Sequence, residues 1–197
     1  MYRERLRGAH EQKELEALYR SPHSHAGFRD HILRVQATIA VAKWLGPIET
    51  AADLSAGDAT IINSLTVGKR YIGDLASGYE ITGPIEETIN LIPEVDLFIC
   101  SETLEHIDNP EIALSSIRNK AKHLLLTTPD GETGSRNPEH YWGWDSECIK
   151  DMIVQAGFEP MCLSLVRLKE YGYAYDYQIW LAKRSEKPIL SKSRSGR

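Results

Sequence analysis

The apolar positions of this chain change period along its length, and each change marks an element. Val95–Cys100 is a short apolar run, β-branched in part and polar at its far end, which predicts a buried strand. Residues 3–20 carry only Leu6, Leu15 and Leu18 as apolar content and predict a charged helix. Ser21-Pro22-His23-Ser24-His25-Ala26-Gly27 interrupts it. Ile32, Val35, Thr38, Ile39 and Ala42 then form a stripe at helical spacing over residues 28–45, closed by Gly46-Pro47. Further strands are expected at Ala51–Leu54, Arg70–Asp74, His123–Thr128, Met161–Leu168 and Tyr177–Lys183. Residues 81–92 hold a short strand and a short helix. Asn109-Pro110 opens a helix that runs to about Lys120, with proline in its first turn. A polar loop extends to Tyr141, and Ser146–Ala156 reads as a helix capped by Ser146 and ended by Gly157. Tyr171, Tyr173, Tyr175 and Tyr177 recur with period two, which places them on one face of an extended hairpin. The alternation of strand and helix predicts an α/β fold, a mostly parallel sheet covered on both faces. The last two strands are joined too closely for a crossover and should be antiparallel.

Composition narrows the class. At 197 residues, 42% hydrophobic and 26% charged, the chain is sized for one globular domain. No apolar run reaches the ~20 residues that span a bilayer. Cys100, Cys148 and Cys162 are odd in number and unpaired in spacing, as in reduced thiols of a cytoplasmic protein. The net charge is -5, but residues 183–197 alone carry +5, which leaves -10 on residues 1–182. An acidic body disfavours a broad nucleic-acid surface, which needs clustered Lys and Arg.

Two constellations carry chemistry. Asp53-Leu54-Ser55-Ala56-Gly57-Asp58-Ala59 is a turn of small residues between a strand and a helix, where backbone comes close to a ligand. Asp74 ends the next strand, 21 residues after Asp53, where an acid commonly holds a ribose hydroxyl pair. Just past the Val95 strand, Glu102, Glu105 and His106 stand at i, i+3 and i+4, a spacing that puts them on one face of a helical turn. Ligands of open α/β sheets bind at that strand end. His23, His25 and His31 lie close in sequence, but their spacing matches no closed metal site. With Arg29, His23 and His25 are candidates for a lid.

These residues together resemble the class I S-adenosylmethionine (SAM)-dependent methyltransferases, over roughly residues 50–183. The likeness rests on the Asp53–Ala59 turn, Asp74, Leu104-Glu105-His106 followed by Asn109-Pro110, Thr127-Thr128-Pro129, and Ala156-Gly157-Phe158 before a strand pair. It implies a doubly wound, Rossmann-like, seven-stranded sheet with the last strand antiparallel. In that layout residues 1–48 are an N-terminal helical extension or lid, 49–184 the SAM-binding domain, and 185–197 a basic tail. It implies SAM held by Asp53, Ser55, Ala56, Gly57, Asp58, Asp74, Ser101 and Glu102. Ser55, Gly57 and Ala59 take the three glycine positions, so two are not glycine. Gly83-Pro84 stands where the family has an adenine-binding acid, and Glu86 is the alternative there. Glu102-x-x-Glu105-His106 is further similar to ubiquinone-biosynthesis O-methyltransferases and to small-RNA 3′-end 2′-O-methyltransferases. In the latter such residues hold a divalent cation with a downstream histidine, here His140. The resemblance thus implies Glu102, Glu105, His106 and His140 as ligands of Mg²⁺, Mn²⁺ or Zn²⁺, and His106, Glu105 and His140 as catalytic groups. The expected function is O-methylation of a small hydroxylated acceptor; Tyr141, Trp142 and Trp144 either wall that acceptor or pack under the loop. Methylation of an RNA 3′ end and a catalytically degenerate binding module stand as alternatives.

Overall fold

A computed structural model of the chain describes residues 1–20, 28–134 and 137–186. In chain order the strands and longer helices are β1 (Arg3–Arg5), α1 (Gln12–Leu18), α2 (Arg29–Ala42), β2 (Ile48–Asp53), α3 (Thr60–Asn63), β3 (Val67–Asp74), β4 (Ile81–Thr82), α4 (Ile85–Thr88), β5 (Val95–Ser101), α5 (Pro110–Arg118), β6 (Ala121–Asp130), β7 (Trp142–Trp144), α6 (Ser146–Gln155), β8 (Phe158–Val166) and β9 (Asp176–Arg184). Seven strands form one sheet in the order β4-β3-β2-β5-β6-β9-β8. All neighbours are parallel except β9, which runs antiparallel between β6 and β8. β2 pairs with β3 on one side and β5 on the other, so the winding reverses there and a crevice opens at the carboxyl ends of these strands.

Side-chain alternation on the central strands feeds two cores. Leu124 and Leu126 of β6 face α5 and α6, whose Leu114, Ile117, Ile149 and Ile153 are buried there. Leu125, between them, faces the layer of α2 and α3 with Val35, Val41 and Ile62. The three cysteines are free. No helix among the described residues is long and apolar enough to cross a membrane.

The N-terminus departs from its sequence pattern. Residues 3–20 are not one helix: β1 pairs antiparallel with β7, and only Gln12–Leu18 is helical. Alternation explains it, since Arg3 and Arg5 point the same way and their guanidinium groups lie 4.2 and 4.7 Å from the Trp142 ring. The same two arginines pair with Glu111 and Asp108. Helix α6 is capped by Asp145, not Ser146; its carboxylate accepts the Cys148 N–H at 2.8 Å. The tyrosine run is no hairpin face, because a turn over Lys169–Tyr171 and a left-handed Gly172 break the extension before β9. His23, His25 and the tail from residue 187 lie outside the described residues.

β7 is pressed onto the chain just beyond β6. The Gly131 N–H donates to the Trp144 carbonyl at 2.8 Å, and a Cβ on Gly143 would sit 2.2 Å from the Glu132 carbonyl oxygen. Gly143→Ala must therefore push the β1–β7 ribbon off residues 131–132. The expected cost is about 1–3 kcal/mol, a typical overpacking penalty, read as a lowered melting temperature by calorimetry.

Candidate active site

The crevice holds a cavity of about 340 Å³. One end is lined by Leu54, Ser55, Gly57, Asp74, Leu75 and the segment Gly83–Glu86, and the other by Ser101, Glu102, Thr103, His106, Ile107, Asp108 and Tyr141. Ala9, His10, Leu15 and Tyr19 of the N-terminal segment complete the wall. The small-residue turn and the region around His106 thus open onto the same space.

The turn after β2 forms with serine and alanine in place of two glycines. Ala59 takes the left-handed conformation at φ 58°, and Gly57 does so at φ 56°. The Ser55 hydroxyl lies 2.7 Å from that of Thr103, tying the turn to the end of β5. Asp74 braces the turn from the other side: one carboxylate oxygen accepts the Gly57 N–H at 2.8 Å and the other the Ala76 N–H at 2.8 Å. The Tyr79 hydroxyl donates to the Gly57 carbonyl at 2.6 Å. Ser55 and Gly57 line the cavity, whereas Asp58 is exposed and accepts the Thr60 N–H at the start of α3. Asp53 is buried beneath the turn and accepts the Ser55 N–H at 3.3 Å. Burial lifts its carboxyl pKa to about 7, with the nearby Asp74 charge adding to the rise.

Glu102, Glu105 and His106 do not share one face. Glu102 stands outside the helical turn at Leu104–His106, in a left-handed conformation at φ 51°. Its N–H donates to the Thr127 carbonyl at 2.9 Å. Its carboxylate accepts the Thr127 hydroxyl at 2.8 Å. Arg34 of α2, almost wholly buried, donates to the Ser101 hydroxyl at 2.8 Å, and its Nε is 4.0 Å from Glu102. Glu105 instead accepts the Thr128 hydroxyl at 3.1 Å, and Thr128 accepts the Trp144 indole N–H at 2.9 Å. Consecutive residues on a strand face opposite ways. Thr127 therefore fastens Glu102 toward the α2 layer, while Thr128 fastens Glu105 toward the α6 layer.

Glu105, His106 and His140 do converge. One ligand atom from each lies within 4.8 Å of the others, and the two imidazole rings meet edge to face with centroids 4.8 Å apart. Glu105 is completely buried and one of its oxygens, Oε1, has no hydrogen-bond partner among the described residues. Burial, and secondarily the Glu102 charge, holds its pKa well above the ordinary carboxyl value. His106 Nδ1 donates to the Glu139 carbonyl at 2.9 Å. His140 Nδ1 donates to the Glu132 carboxylate at 2.6 Å, and its Nε2 lies 2.9 Å from the Asn137 amide nitrogen. His106 lines the cavity, with the Tyr19 hydroxyl 3.4 Å from its Nδ1 and donating to Glu139 at 3.0 Å. Burial, with the Glu139 charge, pushes the Tyr19 phenol pKa far up, so it remains a neutral donor. Trp144 is buried packing rather than cavity wall.

No protein-family model and no curated protein matches the sequence. Solved structures match the fold. The N-methyltransferase NodS from Bradyrhizobium japonicum, in complex with S-adenosyl-L-homocysteine (SAH), superposes with a TM-score of 0.69 at 10% identity, over 88% of this chain and 98% of that one. The chain has the class I methyltransferase fold. The small RNA methyltransferase HEN1 matches 95% of this chain at 17% identity and TM-score 0.59, while this chain covers 27% of it. The [4+2]-cyclase SpnF matches 77% of this chain and 80% of its own length, at 13% identity and TM-score 0.62. The same architecture thus carries different chemistries, and activity has to be argued from the site.

Arg34, Tyr19 and Glu132 escaped the sequence reading. Arg34 alone left a signal, since it precedes Val35 and stands four residues before the buried Thr38 on the apolar stripe. Tyr19 and Glu132 sit in segments with no period, and only the fold brings them to His106 and His140.

Asp53 supplies a pH test. Its carboxyl titrates near 7 when folded against an ordinary 3.8. The native state holds this proton more tightly, so its contribution to stability is lost as pH rises from about 4 to 7, at up to ~1.4 kcal/mol per pH unit. Asp53→Asn should therefore gain stability relative to wild type across that window, with the difference levelling off above it, in urea titrations run in parallel.

Proposed function

We propose that the chain is a SAM-dependent O-methyltransferase acting on a hydroxyl acceptor with a divalent cation. The observation that carries this reading is that Asp74 and His106 line one cavity, at the switch point where the fold places ligands. The space between them suits a nucleoside: Ser55, Gly57 and Gly83 present little side chain there, and Asp74 keeps lone pairs free beyond its two backbone bonds. Leu75, Pro84 and Ile85 supply apolar surface for a base. Ser101 and Glu102, with Arg34 behind them, offer both charges to an amino-acid end. The formed turn, despite Ser55 and Ala59, favours a working cofactor site over a degenerate binding module.

The residues present also fit a cation. The donor set is one carboxylate and two imidazoles, suited to Mn²⁺ or Zn²⁺ and, with waters, to Mg²⁺. A buried Glu105 oxygen without a partner among the described residues is what a buried ligand looks like. Both histidines have Nδ1–H engaged by an oxygen, the pattern of metal-bound imidazole. Glu102, fastened to the other layer by Thr127, is left to the cofactor rather than to the cation.

SAM supplies an already activated methyl, so the protein's task is alignment and deprotonation of the acceptor. A bound cation supplies the acidity that makes a hydroxyl a nucleophile near neutral pH. Asp74 orients the ribose, and the Arg34–Ser101–Thr127–Glu102 chain of hydrogen bonds fixes the polar end. Tyr19, Leu15 and Tyr141 exclude water on the acceptor side, and His106 faces the cavity beside the Tyr19 hydroxyl. A small hydroxylated compound is the acceptor favoured here. A ribose hydroxyl at an RNA 3′ end is the second reading, supported by the 95% coverage against HEN1 and opposed by the acidic body.

Two measurements test the reading. SAH should bind in calorimetric titration, and Asp74→Ala should weaken it at least tenfold, about 1.4 kcal/mol; absence of any SAH binding by wild type would sink the proposal. His106→Ala should keep SAH affinity while lowering methyl transfer from labelled SAM by ~10²-fold or more, and chelation with EDTA should do the same until Mn²⁺ is restored. Running the assay on a catechol and on a short RNA with a free 3′-terminal diol separates the two acceptor classes.

A further inference from the structure

We propose that Glu132 is the positioning residue of the cation site, acting through His140, and that cation affinity depends on its charge. The inference rests on the cation reading above. Glu132 follows β6 by two residues, in a segment that no motif marks, yet its side chain is almost fully buried. A buried carboxylate is costly unless a specific partner holds it. One oxygen is 2.6 Å from His140 Nδ1; the other, Oε1, is buried with no hydrogen-bond partner among the described residues. The hydrogen bond from His140 is thus the contact around which this acid is buried.

The backbone beneath it is fixed. Gly143 has no Cβ because the Glu132 carbonyl occupies that space, and the neighbouring Gly131 N–H is bonded to Trp144. The His140 ring packs against His106 and Tyr175, with centroids 4.8 and 5.6 Å away. A carboxylate on Nδ1 selects the tautomer with the proton there and leaves the lone pair on Nε2. Asn137 donates its amide to that lone pair at 2.9 Å, so the amide swings aside when Nε2 takes a ligand. Glu132 also adds a second buried carboxyl group to the surroundings of His140. Two carboxylates and two neutral imidazoles offset the charge of a divalent cation without any contribution from Glu102.

The test is Mn²⁺ binding to the full chain in the presence of SAH, by titration calorimetry and by the loss of free Mn²⁺ spin-resonance signal. Glu132→Gln keeps the shape and removes the charge. It should weaken Mn²⁺ binding by ~10–100-fold, the range for lost outer partners of metal-bound histidines, with SAH affinity unchanged. Wild-type and Glu132→Gln proteins that bind Mn²⁺ equally well would overturn the role of Glu132 while leaving the cation site standing. Wild type that binds SAH but no Mn²⁺ would overturn the cation reading and this inference together. If Glu132→Gln lacks a cooperative melt, Glu132→Met, similar in length and uncharged, is measured instead. Weaker Mn²⁺ binding at unchanged SAH affinity would support the role, and unchanged Mn²⁺ binding would overturn it.

Discussion

The structure depends on β2 being paired in parallel on both sides. Ala51, Ala52 and Asp53 are in register with Arg70, Tyr71 and Ile72 of β3 and with Leu97, Phe98 and Ile99 of β5. Parallel neighbours bring three strand ends to one level, and the reversal of winding leaves no helix over them. Ala51 and Ala52 are completely buried, so nothing larger separates the sheet from its two helical layers at this point. The turn at Ser55–Gly57, Asp74 and the end of β5 meet at the cavity for that reason alone.

Ionisable groups are concentrated where the sheet is most enclosed. Asp53, Glu105 and Glu132 are buried around the crevice together with one buried arginine, Arg34. Such groups are expensive in an apolar interior and stay only where hydrogen bonds or ligands satisfy them. Each has a partner: Asp53 has Ser55, Arg34 has Ser101, Glu105 has Thr128 on one oxygen and Glu132 has His140 on one oxygen. The remaining oxygens of Glu105 and Glu132, without a partner among the described residues, cluster beside His106 and His140.

The N-terminal segment is built into this arrangement rather than appended to it. β1 pairs with β7, the Leu6 N–H donates to the Tyr141 carbonyl at 2.8 Å, and the Tyr141 hydroxyl accepts the His10 N–H at 3.0 Å. Arg7 and His10 both reach the Pro138 carbonyl. Residues 1–10 and the 137–144 segment that carries His140 are therefore bonded to each other at several points, and Leu15 and Tyr19, just beyond, line the cavity.

Local pattern marked most strands of the main sheet. The runs at Val95–Cys100 and His123–Thr128, the stripe of α2 and the close joining of the last strands each reflect burial of a whole face, which leaves a period in the sequence. The small-residue turn was legible because a tight strand-to-helix turn demands small residues, and Asp74 because it ends the next strand. The division of Glu102 from Glu105 was not legible, since an i, i+3 spacing says nothing about which threonine of the next strand each acid meets. Arg3 and Arg5 gave a helix by composition and a strand in fact, because the partner that fixes them, Trp142, is remote in sequence. Residue chemistry along the chain thus determined the fold and the two ends of the crevice. Only tertiary packing decided which acids, histidines and roof residues meet there, because those contacts join segments that share no local period.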